Sequence, residues 1–229
     1  MTQGKTWSEF EVETHRLWLE GLARDVPARY ASGFDGLRAA LPHAAAQIEQ
    51  CEKWARAFEA GKTDKGLYIS GPTGTGKTGL AYAVRGVVMV ERQARVELYN
   101  WTDLLAEIRA GYNDPDAEGE FALVRRCGET ALLILDDIGA EKLTEHALGI
   151  LYQIINRRYS DCLPVVITSN LGGRDLRAAW SDSGNGERII SRLTEMVDRV
   201  SLAGAPDVRG KVKKQPPDLT AGEFNRREC

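Results

Sequence analysis

Gly71-Pro72-Thr73-Gly74-Thr75-Gly76-Lys77-Thr78 sits between a short apolar run, Leu67-Tyr68-Ile69, and a helix-like run, Gly79-Leu80-Ala81-Tyr82-Ala83-Val84. Strand, glycine loop and helix in that order are the setting a phosphate-binding loop needs. Glycines at 71, 74 and 76 let the backbone turn sharply and bring its N–H groups close to phosphate oxygens. The helix that starts there adds the positive end of its dipole. Lys77 is placed to reach the β- and γ-phosphates, and the Thr78 hydroxyl to ligate Mg²⁺. Pro72, Thr73, Gly74, Thr75, Gly76, Lys77, Thr78 and Gly79 are the expected nucleotide-binding residues. The loop predicts a nucleoside triphosphate; it does not say which one or what the energy drives.

On the C-terminal side of the loop, strand-like and helix-like runs alternate. Arg95–Tyr99 alternates as a strand, and Thr102–Tyr112 is an amphipathic helix with Thr102 or Asp103 as its cap. Glu118–Glu129 is a further short helix. Ala131-Leu132-Leu133-Ile134-Leu135 is a continuous apolar run, as in a strand buried on both faces, and it ends in Asp136-Asp137. Glu145–Ser160 reads as a helix, Pro164–Asn170 as another buried strand, Glu187–Met196 as a helix and Asp198–Leu202 as a short strand. The alternation predicts an α/β fold with a mainly parallel central sheet flanked by helices. Such sheets bind ligands beyond the C-terminal ends of their strands. The phosphate loop, the Asp136–Asp137 pair and Asn170 all fall at such ends.

This constellation has the chemistry of a triphosphatase. Asp136 would hold Mg²⁺ with Thr78, and Asp137 would orient or deprotonate the attacking water. Asn170 fits a polar sensor of water or the γ-phosphate. Gly186–Leu193 carries Arg188 and Arg192 four residues apart on one helical face. An arginine that reaches a neighbouring subunit's γ-phosphate can raise the rate by about 10³–10⁵. A guanine-reading N-K-x-D motif is missing after the loop, which disfavours a GTPase.

On the N-terminal side, Trp7–Asp25 reads as one amphipathic helix ended by Pro27; it either packs on its own domain or docks a partner. Val26–Leu37 reads as an irregular linker and Leu41–Gly61 as a second helix. The chain has 229 residues, 43% of them hydrophobic and 28% charged, which suits one large α/β domain with small extensions. A net charge of −3 excludes a generally basic nucleic-acid binder, so any such contact is a local patch or one built by several subunits. The four cysteines are widely spaced and predict neither zinc nor a disulfide framework. The polar, acidic N-terminal stretch lacks the apolar core of a secretory signal, and no run is long enough to span a membrane. Both predict a cytoplasmic protein.

With these residues in place, the chain resembles the AAA+ ATPases of the bacterial replicative helicase-loader family, the DnaC and DnaI group. It is similar also to their relatives, the IstB-type transposition helper ATPases. The resemblance runs from about Val26 to Arg209. VPARY at 26–30 with Phe34, GPTGTGKTGLA at 71–81, LLILDDIGAE at 132–141, VVITSN at 165–170, GERIISRL at 186–193 and DVRG at 207–210 carry it. It implies an AAA+ fold with a reduced or absent helical lid, and ATP with Mg²⁺ as cofactors. Lys77 and Thr78 would be Walker A, and Asp136 and Asp137 Walker B. Asn170 would be sensor 1, Arg192 the arginine finger and Arg209 a sensor-2-like arginine. Val26–Tyr30 would line the adenine pocket, with Tyr30 in contact with the nucleotide. Asp137 stands where most AAA+ proteins have Glu, which implies slow or partner-stimulated hydrolysis.

The domain reading that follows is a docking segment over 1–25, an ATPase domain over 26–210 and a flexible tail over 211–229. The expected partners are a replicative helicase through the N-terminal helix, single-stranded DNA, and further copies of the chain in a ring or spiral. Tyr99, Trp101, Arg109 and Tyr112 are the candidate DNA contacts, since aromatics stack bases and arginine neutralises phosphate. Two other functions stay open: a transposition helper with the same ATPase site and a different partner, and a nucleotide-gated switch with negligible turnover.

Overall fold

The structure, a computed structural model, describes residues 26–112, 118–139 and 143–209. The expected docking helix over Trp7–Asp25 and the tail over 211–229 lie outside the described residues. Five strands form one sheet: β1 (Gly66–Ser70), β2 (Val96–Asn100), β3 (Leu132–Ile138), β4 (Val165–Ser169) and β5 (Val197–Ser201). The spatial order is β2-β3-β4-β1-β5, and every pairing is parallel. Parallel neighbours require crossovers, and helices supply them: α3 (Lys77–Val90) and α4 (Trp101–Ala110), α5 (Glu120–Glu129), α6 (Glu145–Ser160), and α7 (Gly173–Trp180) with α8 (Gly184–Met196). Before the sheet lie α1 (Gly33–Ala40) and α2 (Ala45–Ala57). Among the described residues no helix follows β5, and no helix is long and apolar enough to cross a membrane.

The period-2 alternation of strands divides the core into two layers. Leu133 and Leu135 of β3, Val165 and Ile167 of β4 and Tyr68 of β1 pack against α4, α5, α6 and α8. Leu132 and Ile134, Val166, and Leu67 and Ile69 face the other way, against α1, α2 and α3. Continuous apolar runs are therefore required, since both faces are covered. Each fully buried Leu or Ile contributes about 1.5–3 kcal/mol.

Several elements differ from the sequence reading. The expected linker over Val26–Leu37 holds a short 3₁₀ turn, Ala28–Tyr30, and most of α1, which is anchored by buried Phe34 and Leu37. The helix expected from Leu41 begins only at Ala45, because Pro42 opens a separate 3₁₀ turn. The cap of α4 is neither Thr102 nor Asp103. It is Asn100, whose side-chain oxygen accepts from the backbone N–H groups of Thr102 (3.0 Å) and Asp103 (3.4 Å). Helix α6 has the expected bounds and is capped by Thr144, which accepts from Ala147 N–H at 3.2 Å.

At the N-terminal end of the sheet, Arg158 is wholly buried. Its guanidinium donates to the carbonyls of Cys127 (2.8 Å), Thr130 (2.9 Å) and Pro164 (2.5 Å), joining α5, β3 and β4 to α6. Burial lowers its pKa to about 10, which leaves it charged at neutral pH. Burial likewise pushes the Cys51 and Cys127 thiols up to about 12, so both behave as core residues.

Candidate nucleotide site

The C-terminal ends of β1, β3 and β4 converge on one cavity. Its lining includes Thr73, Gly74, Gly76, Lys77, Thr78 and Gly79 from the loop and first turn of α3, with Asp137, Asn170, Tyr30 and Arg209. The glycines work as the sequence predicts at two positions. Gly74 and Gly76 have φ of +83° and +95°, where a side chain is strained. Gly74 also has no room for one, because a Cβ there would lie 2.1 Å from the Asp207 carboxylate. That close approach seats the Asp207–Arg209 segment on the loop, with Val208 N–H donating to Gly74 O at 2.9 Å. Pro72 and Thr75 do not line the cavity. Thr75 is fully buried and donates to Pro72 O at 2.9 Å, so the two shape the loop from inside.

Lys77 is 7% exposed, and its ammonium donates to the carbonyls of Gly71 and Pro72, each at 2.9 Å. Burial holds its pKa below the ordinary lysine value, and Asp137 and Asp136 oppose that shift. The Thr78 hydroxyl donates to the Asp136 carboxylate at 3.0 and 3.1 Å, which brings the expected pair together. Asp136 is buried, and burial raises its carboxyl pKa. Hydrogen bonds from Thr168 and Thr78 pull the other way; the nearby Asp137 charge pushes it further up, and Lys77 lowers it.

Strand β3 does not stop at Leu135, as its apolar run suggests. It continues through both aspartates to Ile138, with a register shift against β4 between Leu135 and Ile138. Asp136 and Asp137 together oppose Thr168 there, and Asp137 takes φ of +62°, a left-handed conformation that costs about 1 kcal/mol in a non-glycine residue. In a regular strand, consecutive side chains point to opposite faces. The bulge lets Asp136 meet Thr78 while Asp137 borders the cavity.

Hard oxygen donors on Asp136 and Thr78 fit magnesium, which binds through one or two carboxylates plus substrate phosphates. Among the described residues no group of three His, Cys, Asp or Glu side chains could hold a metal ion without such help.

Other expected residues are distributed differently. Asn170 is exposed at the cavity, one residue beyond β4. Arg209 lines the cavity, and its carbonyl accepts from the Arg29 guanidinium at 2.8 Å. Tyr30 borders the cavity with its ring stacked on Tyr82, centroids 4.9 Å apart and planes 11° from parallel. Tyr82, the fourth residue after Thr78, does not line the cavity itself but backs the Tyr30 ring that does, a contact that the helical run alone does not reveal. Arg192 does not line the cavity. Its guanidinium lies over the rings of Tyr152 (5.1 Å) and Tyr159 (5.5 Å) on α6.

The candidate DNA contacts do not form one surface. Trp101 is 2% exposed and packs in the core, so it has no free face for a base, which corrects the expectation for that residue. Tyr99 packs against the same core, accepts from Arg126 at 2.5 Å and lies beneath its guanidinium. Arg109 and Tyr112 are exposed at the end of α4, and the Tyr112 hydroxyl bonds Glu120.

A glycine loop with a buried lysine, a threonine bonded to a strand-end carboxylate and a second carboxylate at the cavity define a phosphate-binding-loop nucleotide site on an AAA+ fold. The family described as "IstB-like ATP binding protein" matches residues 55–215, and the chain belongs to it. The chain is 24% identical over 166 residues to the replicative helicase loader DnaI of Bacillus subtilis, covering 72% of this chain and 52% of that one. It is 34% identical over 154 residues to a putative insertion sequence ATP-binding protein, y4pL, of Sinorhizobium fredii, covering 65% and 58%. The chain thus spans about half the length of the curated relatives it matches. Among solved structures, the DnaC helicase loader superposes with a TM-score of 0.58 at 24% identity, covering 68% of this chain and 88% of that one. DnaI superposes with a TM-score of 0.58 at 25% identity, covering 72% and 83%.

Proposed function

We propose that the chain is a Mg²⁺-dependent ATPase that loads a replicative helicase onto single-stranded DNA. One observation carries the ATPase part: Thr78, Asp137 and Asn170, from three strand ends, line the cavity with the loop lysine, and Asp136 bonds Thr78 from behind. Lys77 would leave its two loop carbonyls for the β- and γ-phosphates. Thr78 and Asp136 would hold the ion, which neutralises phosphate charge. Asp137 would orient the attacking water, with Asn170 positioning water or the γ-phosphate. The shorter aspartate at 137 suits slow or partner-stimulated turnover.

Arg192 would complete the site in trans. It stands away from its own cavity, and the Tyr152 and Tyr159 rings hold its guanidinium against α6. ATP would then drive self-association into a ring or spiral in the cytoplasm, and hydrolysis would release the partner. The DnaI and DnaC resemblances favour a helicase as that partner.

A transposition helper is the second reading. The higher identity to the insertion sequence ATP-binding protein favours it. The two share the nucleotide site and differ in partner. ATP turnover with single-stranded DNA and the host helicase, compared with duplex DNA and the cognate transposase, separates them. Stimulation by the first pair supports the loader, and stimulation by the second alone overturns it.

A further inference from the structure

Thr168 stands where the β3 bulge faces β4, and it is fully buried. Its hydroxyl makes two bonds in opposite senses. It donates to Asp136 Oδ1 at 2.6 Å and accepts from the Asp137 backbone N–H at 2.8 Å. The first bond fixes the carboxylate that Thr78 also touches. The second holds the peptide of the left-handed residue Asp137. The next residue repeats the pattern. Ser169, also fully buried, donates to Ile138 O at 2.6 Å and accepts from Leu171 N–H at 3.0 Å. Asn170 lies between the two residues so tied.

We propose that Thr168 is the positioning residue of this site: its one hydroxyl sets the direction of the Asp136 carboxylate and closes the bulge that turns Asp137 toward the cavity. A hydroxyl is required because a single group must donate to a carboxylate and accept from an amide. A hydrocarbon of the same shape can do neither. Without it, Asp136 would keep only the Thr78 bond, and the half-buried amide of Asp137 would lose its Thr168 acceptor. The inference rests on the nucleotide-site reading.

The test compares Thr168→Val, which keeps the β-branched shape and removes the hydroxyl, with Thr168→Ser, which keeps the hydroxyl. Binding of a fluorescent N-methylanthraniloyl ATP to the full chain is titrated with and without magnesium chloride. Thr168→Val is expected to bind the Mg²⁺-free nucleotide within about 2-fold of wild type, while losing about 10- to 100-fold of the Mg²⁺-linked affinity, as when a bond that orients a metal ligand is cut. Thr168→Ser is expected to retain the Mg²⁺ response. Should the valine variant fail to fold, Thr168→Cys, with a weak thiol donor, takes its place with the same expectation. A full Mg²⁺ response without the hydroxyl, or an equal loss in the valine and serine variants, overturns the assignment of Thr168 alone. A wild-type chain whose nucleotide binding ignores Mg²⁺ overturns the assignment together with the site reading beneath it.

Discussion

Lys77 and Asp136 are opposite charges held in a poorly hydrated place, and each resists its charge. Burial lowers the pKa of the lysine and raises that of the aspartate. On the proposed function both groups would need their charge to hold a nucleotide with its metal, so the site would trade stability for binding. The sign for Asp136 follows from its direction. The folded protein holds the carboxyl proton more tightly than the unfolded chain does. Its contribution to stability is therefore full below the unfolded carboxylate range and lost as pH rises through the folded value. Asp136→Asn removes that dependence. Relative to wild type, the nucleotide-free variant should melt higher at about pH 8 than at about pH 5, while its Mg²⁺-linked nucleotide affinity disappears. A variant whose melting offset is the same at both pH values would contradict the burial argument. Lys77→Ala should cut nucleotide affinity by about 100-fold, the loss of a hydrogen bond to a charged group plus its Coulomb energy. Equilibrium titration checks it, and near-normal affinity would contradict the role of the loop.

At the scale of elements, the strands were legible and the joints were not. Leu132–Leu135 and Val165–Ile167 are apolar without interruption, which only a strand covered on both faces requires. Helix α1 was hidden because Gly33 and Gly36 read as breakers, although Phe34, Leu37 and Leu41 already had helical spacing and all three are buried. Helix α7 was missed because it opens on Gly173 and is polar apart from Leu176, Ala178, Ala179 and Trp180. The bulge in β3 has no sequence period at all, since it depends on how β4 pairs. Arg158 was likewise invisible, one of two adjacent arginines in a helix whose other face is polar. Arg158→Met leaves three buried carbonyls without donors and should cost about 3–5 kcal/mol of unfolding free energy. Denaturant melts give the number, and a loss under about 1 kcal/mol would show that the three bonds are not needed to join α5, α6 and the strands.

For the molecule as a whole, the proposed site divides between residues that one chain brings to the cavity and Arg192, which it does not. The loop, both aspartates and Asn170 come from strand ends of one sheet, which is why residues far apart in the chain meet at one rim. Arg192 is turned to α6 and its tyrosines. The Asp207–Arg209 segment closes over the loop from the far end of the described chain, through Val208 and the Arg29 bond to Arg209 O. Arg29→Ala should loosen that segment and weaken nucleotide binding by about 3- to 10-fold, the worth of one charge-assisted hydrogen bond. Titration with and without the substitution measures it, and an unchanged affinity would mean that the closure does not contribute. The most direct test is ATP turnover by the full chain with single-stranded DNA and the host replicative helicase, for wild type and Arg192→Ala. The mixture should stimulate wild-type turnover, and Arg192→Ala should lower it by about 10³-fold with nucleotide binding intact. Wild-type turnover in Arg192→Ala, or no turnover by the wild-type chain in any mixture, would contradict it.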